Sequence, residues 1–258
     1  MGRTKIFEPE QEIENICTWI KNYFVENGPN SKAVIGISGG KDSTVVLAAL
    51  VKAIGPYRVY PILMPNGEQK DISDSYAVCG HLGLTPYVCN IENAYNGIID
   101  TMKAHFDPTT QTKINAAPVM RMAMLKAISQ SVNGRFTCNG NLSEAYLGWF
   151  TINGDDQGSL RPLINLTVTE IIQVGLALGL PEWMVKKTPS DGLCGQTDED
   201  KFGFTYEVLD RYIRTGECED ETIKQKIISM HNRNKFKREP MPEFNPFEEE
   251  YNPTDFAS

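Results

Sequence analysis

The chain has 258 residues and a net charge of −8, from 33 acidic and 25 basic side chains. That length holds a large α/β domain with a real core, and the acidic balance argues against gripping duplex or transfer RNA through a basic face. No apolar run approaches the ~20 residues of a membrane helix, and the opening MGRTKIFEPEQEIENI has no apolar secretory core, so neither a membrane nor a nucleic-acid partner is expected and the cytoplasm is the expected compartment.

Ile13, Ile16, Cys17, Ile20 and Phe24 recur at spacings of three and four, which predicts an amphipathic helix over 10–26, ended by Asn-Gly-Pro-Asn. Residues 32–37 (KAVIGI) read as a buried strand, and 43–54 (STVVLAALVKAI) as a buried helix stopped by Gly55-Pro56. A strand over 58–65, a helix over 71–83 and a strand over 85–91 follow. Strands and helices alternating through short connections predict a parallel, doubly wound α/β sheet flanked by helices. From 94 to 131 the pattern is helical, interrupted by DPTTQTK at 107–113. A long loop covers 151–166, and Thr167-Val-Thr-Glu170 has capping-box spacing. The polar stretch 186–204 reads as a loop, with 188–203 expected to act as a lid. Helices near 204–214 and 220–235 precede an acidic, proline-containing tail at 245–258. The whole reads as one domain.

Residues 33–50, AVIGISGGKDSTVVLAAL, carry the chemistry. The loop departs from the Walker A spelling, since Ile35 stands at the first glycine position and Asp42 follows the lysine. A strand, a glycine turn and a helix start nonetheless make an anion site, because backbone N–H groups and the helix dipole converge there. Gly39 and Gly40 let the backbone approach phosphate oxygens, and Ser38 and Ser43 add hydroxyls. Asp42 would repel phosphate unless a cation lies between them, which implies Mg²⁺. Gly39-Gly40 alone would read as a tight turn; the full Ser-Gly-Gly-Lys-Asp-Ser between strand and helix does not. The six cysteines contain no CxxC pair and the three histidines no helical pairing, so no zinc or iron–sulfur site is expected.

Ser-Gly-Gly-Lys-Asp-Ser resembles the pyrophosphatase loop of the ATP-pyrophosphatase superfamily, in which the loop binds the β,γ-pyrophosphate of ATP. NGNLSEAYLGWFTINGD, VKKTPSDGL, TDEDKFGFTYEVLDRYI and NKFKREPMPEF closely resemble successive motifs of ammonia-dependent NAD synthetases, in register from about residue 12 to 244. The resemblance implies a Rossmann-like fold with ATP bound by Gly36, Ile37, Ser38, Gly39, Gly40, Lys41, Asp42 and Ser43, together with Met64, Asn139 and Ser190. It implies Asp42 and Glu144 as the Mg²⁺ carboxylates, and Asp42 and Lys187 as catalytic groups. It places Asn115, Arg121, Asp155, Phe236 and Lys237 on the dinucleotide. Four positions depart from the family pattern: Val119, Ile152 and Ser159 stand where polar dinucleotide contacts are usual, and Val168 where a lysine often faces ATP.

The implied reaction is ATP-dependent amidation of nicotinic acid adenine dinucleotide (deamido-NAD) by ammonia, through an adenylated carboxylate, giving NAD, AMP and pyrophosphate. A homodimer is implied by resemblance alone. About 30 residues precede the loop, so a glutaminase domain is not expected ahead of it. The alternatives are another adenylating or reductive member of the superfamily and a non-catalytic nucleotide sensor. A sulfonucleotide reductase would need a late catalytic cysteine, for which Cys218 is the only candidate. A tRNA-modifying enzyme would be expected to be basic.

Overall fold

The computed structural model describes residues 7–187 and 197–244. The first amphipathic segment forms α1 (Pro9–Asn27), with the five apolar residues at three- and four-residue spacing on its buried face and Gly28 at its end. β1 (Lys32–Gly36), the glycine loop and α2 (Lys41–Ile54) follow, α2 being covered almost all round. Then come β2 (Val59–Leu63), α3 (Ile72–His81), β3 (Tyr87–Val88), α4 (Glu92–Lys103), α5 (Thr110–Ser131) and β4 (Gly134–Phe136). The chain continues through α6 (Leu142–Leu147), α7 (Val168–Ala177) and α8 (Glu182–Val185). Beyond residue 196 lie α9 (Asp198–Phe202), α10 (Tyr206–Thr215), α11 (Glu221–Arg233) and a 3-10 turn, Lys235–Lys237.

The sheet is parallel, in the order β3-β2-β1-β4, with Ala33 opposite Val59 on one side and Arg135 on the other. The chain winds outward from β1 through β2 and β3, then returns to place β4 on the other side of β1. That reversal opens a crevice at the carboxyl ends of β1 and β4, where open α/β sheets receive ligands. The glycine loop leaves β1 at this point.

Both faces of the sheet are covered, as parallel sheets require. Ala33, Ile35 and Ile37 pack with α1, α2 and α7, while Val34 faces Met122 and Leu125 of α5. A Cβ on Gly175 would lie 2.5 Å from Val185 Cγ1 and 2.9 Å from Val45 Cγ2, so the glycine is what lets α7 close on α2. A third cluster, including Leu147, Phe202, Tyr206, Leu209 and Ile227, joins α6 to the C-terminal helices.

Several expectations are corrected. The strand expected over 85–91 shrinks to Tyr87–Val88, both exposed at the sheet edge. The break expected at 107–113 is shorter, because Thr109 caps α5 by accepting from Thr112 N. β4 and the one-turn α8 were not anticipated. The loop expected over 186–204 contains α9, started by a Thr197–Asp200 capping box and anchored by buried Phe202. The end of the expected lid is therefore packed helix, whereas 188–196 lies outside the described residues, as does the tail at 245–258. The Thr167–Glu170 capping box forms as the spacing predicts. Among the described residues no helix is long and apolar enough to cross a membrane.

Candidate active site

The loop turns on Gly39, whose φ of 77° belongs to the left-handed region that glycine enters without strain. Ser38 and Ser43 hold it closed: their hydroxyls lie 3.1 Å apart, Ser38 Oγ accepts from Gly40 N at 3.2 Å, and Ser43 Oγ donates to Gly40 O at 3.1 Å. Thr44 Oγ1, a residue sequence reasoning passed over, also donates to Gly40 O, at 2.8 Å. Ile37 N donates to Ile62 O at 2.9 Å and Gly36 O accepts from Asn139 Nδ2 at 3.0 Å. Ile37 and Gly36 thus form wall and floor, these strand-end bonds turned into the fold, and Asn139, just past β4, latches that end of the sheet to β1. A Cβ on Gly36 would meet Met64 Cε at 2.8 Å, which places Met64 against the end of β1.

The two carboxylates expected to hold metal come together although they are far apart in sequence. Asn141 Nδ2 donates to Asp42 Oδ1 at 3.1 Å, and Asn141 Oδ1 accepts from Glu144 N at 2.9 Å. Glu144 Oε2 in turn accepts from Asn141 N, completing a capping box that fixes the Glu144 carboxylate at the start of α6. Burial, and then the nearby Asp42 charge, push the Glu144 carboxyl up to about 8. α6 is itself clamped. Buried Asp210 of α10 accepts from Ser143 Oγ and from Thr169 N, and Ser143 Oγ accepts from Val168 N at 3.0 Å. Val168, where a lysine was expected in the family, is buried among the C-terminal helices.

Lys41 is turned inward. Its side chain is only 4% exposed, and its Nζ donates to Asp42 Oδ2 at 3.0 Å. It also lies 5.5 Å from the centre of the Tyr206 ring. Tyr206 Oη donates to Asp198 Oδ2, and Trp149 Nε1 donates to Asp198 Oδ1, both at 3.2 Å. Tyr206, Asp198 and Trp149 were missed. The motif TDEDKFGFTY contained two of them, but nothing in its spacing revealed that they fold over the loop.

Lys187 donates to Asp74 Oδ2 at 2.6 Å and to Asp71 Oδ2 at 3.1 Å. Desolvation lowers its pKa, but the hydrogen bonds to Asp74 and Asp71 outweigh this and hold it raised. The Asp74 Cβ lies 3.3 Å from the position a Cβ on Gly39 would take, so α3 sets Lys187 beside the loop. Asp71 and Asp74 were not picked out in the sequence. Ser190 lies outside the described residues.

The residues expected at the second substrate gather around the turn after α6. Thr151 Oγ1 donates to Asn115 Oδ1 at 3.2 Å, and Thr151 N donates to Asp155 Oδ1 at 2.7 Å. Lys237 Nζ donates to Gly148 O and Phe150 O at 2.9 and 2.7 Å. Arg121 Nε donates to Met64 O at 3.0 Å, so this arginine spans the two halves of the site. Asp155 is a charged neighbour of both Arg121 and Lys237. Phe236 stands apart, 63% exposed.

A model of the NAD synthase family matches residues 12–241. The chain belongs to the NAD synthase family. The NH(3)-dependent NAD(+) synthetase of Carboxydothermus hydrogenoformans is 35% identical over 218 residues, spanning 83% of this chain and 89% of that one. Among solved structures, the NMN synthetase of Francisella tularensis superposes with a TM-score of 0.85 at 30% identity, over 94% of this chain and 100% of that one. The NH3-dependent NAD synthetase of Campylobacter jejuni superposes with a TM-score of 0.74 at 25% identity, over 93% and 100%. This member is thus an enzyme, a ligase of the ammonia-dependent NAD synthetase type. The reductase and RNA-modifying alternatives are not favoured, and Cys218 merely bonds Asp220 O in the turn before α11.

Proposed function

We propose that this ligase activates the carboxylate of deamido-NAD with ATP and amidates it with ammonia. A carboxylate oxygen attacks the α-phosphorus of ATP, and the bond to the pyrophosphate oxygen breaks. Ammonia then attacks the acyl carbon, AMP leaves, and a proton is lost. The observation that carries this reading is the joining of Asp42 and Glu144 through Asn141 beside the glycine loop.

The donors suit Mg²⁺. Both are hard carboxylates, and among the described residues no cluster of three or more His, Cys, Asp or Glu could hold a metal. Such a site leaves coordination positions to phosphates and water, as Mg²⁺ sites at phosphates do. Bound there, Mg²⁺ would neutralise charge on the triphosphate. Asn141 orients both carboxylates. Lys187, steered by Asp71 and Asp74, neutralises charge on the departing pyrophosphate. Arg121, Asn115, Asp155 and Lys237 hold the acceptor, with Phe236 at its rim. Both half-reactions run in one domain, in the cytoplasm. Exposed Ile98, Phe106 and Ile114 on and between α4 and α5 offer a homodimer an apolar face.

A second acceptor has specific support. The higher TM-score belongs to an NMN synthetase, 0.85 against 0.74 for the Campylobacter NAD synthetase. Arg121 and Lys237, the cations placed at the acceptor, already donate to backbone carbonyls, which suits an acceptor with one phosphate. Purified protein given ATP, Mg²⁺ and ammonium should amidate deamido-NAD or nicotinic acid mononucleotide with one AMP per amide formed. The ratio of kcat/KM for the two acceptors decides between them. AMP release with neither acceptor amidated would overturn both readings.

A further inference from the structure

Lys41 poses a problem in the first turn of α2. An ammonium there opposes the positive end of the helix dipole, and its side chain is almost wholly buried. What compensates is local. Asp42 accepts its hydrogen bond at 3.0 Å, the Tyr206 ring centre lies 5.5 Å from its Nζ, and Asp198 is a further anionic neighbour. The dependence runs both ways. Asn141 holds Asp42 beside the start of α6, where Glu144 lies, and Lys41 is the cation hydrogen-bonded to Asp42 there.

We propose that the Lys41 ammonium is a built-in counter-cation of Asp42, which a divalent cation held by Asp42 and Glu144 must displace in order to bind. This rests on the metal role given above to those carboxylates. A divalent ion entering beside Lys41 meets a like charge in a poorly solvated place, and the ammonium already occupies Asp42 Oδ2. Metal alone therefore binds weakly. ATP changes the balance, because its phosphates give the displaced ammonium a new anionic partner while contributing oxygens to the metal. Lys41 thereby couples metal binding to nucleotide binding, as a positioning residue whose partner changes during the cycle.

The test is direct Mn²⁺ binding, read by electron paramagnetic resonance without nucleotide, on the wild type, K41M and K41R. Methionine keeps the length of the side chain and removes its charge; arginine keeps the charge. K41M should bind Mn²⁺ about 10-fold more tightly than the wild type, with K41R remaining close to the wild type. Equal or weaker binding by K41M overturns the proposal and leaves the metal reading standing. No Mn²⁺ binding by any of the three, even with a non-hydrolysable ATP analogue, overturns both. Should K41M fail to fold, the wild type answers alone. Its hydrogen-bonded Lys41 ammonium should give a slowly exchanging ¹⁵N resonance that persists with the analogue and EDTA and is lost when Mg²⁺ is added. A resonance unchanged once metal is bound overturns the proposal.

Discussion

The ATP side and the acceptor side of this crevice are built differently. On the ATP side, polar side chains knit distant elements together: Asn141 bonds Asp42 and the Glu144 N–H, and Asp210 bonds Ser143 and the Thr169 N–H at the start of α7. On the acceptor side, the cations bond to backbone carbonyls, with Arg121 on Met64 O and Lys237 on Gly148 O and Phe150 O. A network of side chains fixes charge geometry before a ligand arrives, which suits phosphoryl chemistry. Cations resting on carbonyls can turn to a ligand at little cost, so that half can change its acceptor while the other half stays fixed.

The largest effect should come from breaking the rigid half. In Asp42→Asn an amide replaces a carboxylate proposed to hold Mg²⁺, and kcat should fall by ~100–1,000-fold with the melting curve largely preserved. Near-normal turnover at limiting Mg²⁺ would remove Asp42 from the metal site. Next is Arg121, which belongs to both halves. Arg121→Ala should raise the acceptor KM by ~10–100-fold through loss of a charge-assisted bond, and raise the ATP KM more modestly because Met64 loses its anchor. If steady-state kinetics show both constants unchanged, the acceptor site lies elsewhere.

Ser143→Ala probes the scaffold beneath Glu144. It leaves Asp210 Oδ1 and Val168 N without their partner, a loss of ~1–3 kcal/mol in stability that thermal denaturation reads. The Mg²⁺ requirement should rise along with it; unchanged stability would mean that water replaces the hydroxyl. A pH series sharpens the contrast further. The Glu144 carboxyl is raised from 4.5 to about 8, so its contribution to stability is present below about pH 4.5 and is lost as pH rises through about 8. The melting temperature of the free protein should fall across that window more than that of Glu144→Gln. Mg²⁺ binding with ATP at pH 7 should also release a proton, seen by calorimetry in buffers of different ionisation enthalpy. The smallest effect is expected from Ile152→Lys combined with Ser159→Asp, which restores polar groups at the acceptor. The ratio of kcat/KM between dinucleotide and mononucleotide should shift by less than ~10-fold, and an unchanged ratio places these positions outside the acceptor contacts.

The sheet and the loop were legible because their signals are local. The run from Ala33 to Ile37 is apolar, Gly39-Gly40 follows, and α2 is buried on nearly every side. β4 was illegible for the opposite reason. Gly-Arg-Phe has no alternation to read, and Gly134 is explained only by β1, since a Cβ there would lie 2.8 Å from Val34 Cγ2. Asp42 and Glu144 could be singled out from motif resemblance, but the connection between them through Asn141 needed the fold. The burial of Lys41 could not be read from the loop, because the ring 5.5 Å from its ammonium belongs to Tyr206, far along the chain. The spacing that predicts a helix says nothing about what will lie over its first turn.

Asp210 has a consequence for how the enzyme comes into being. During synthesis, the glycine loop, Asp42 and Glu144 all leave the ribosome well before residue 210, yet the tethers on α6 from Asp210, His231 and Asn234 form only after those residues have been made. A nascent chain can complete its sheet and still lack an ordered seat for Glu144. The packing around α6 is therefore complete only once the C-terminal helices have docked on it.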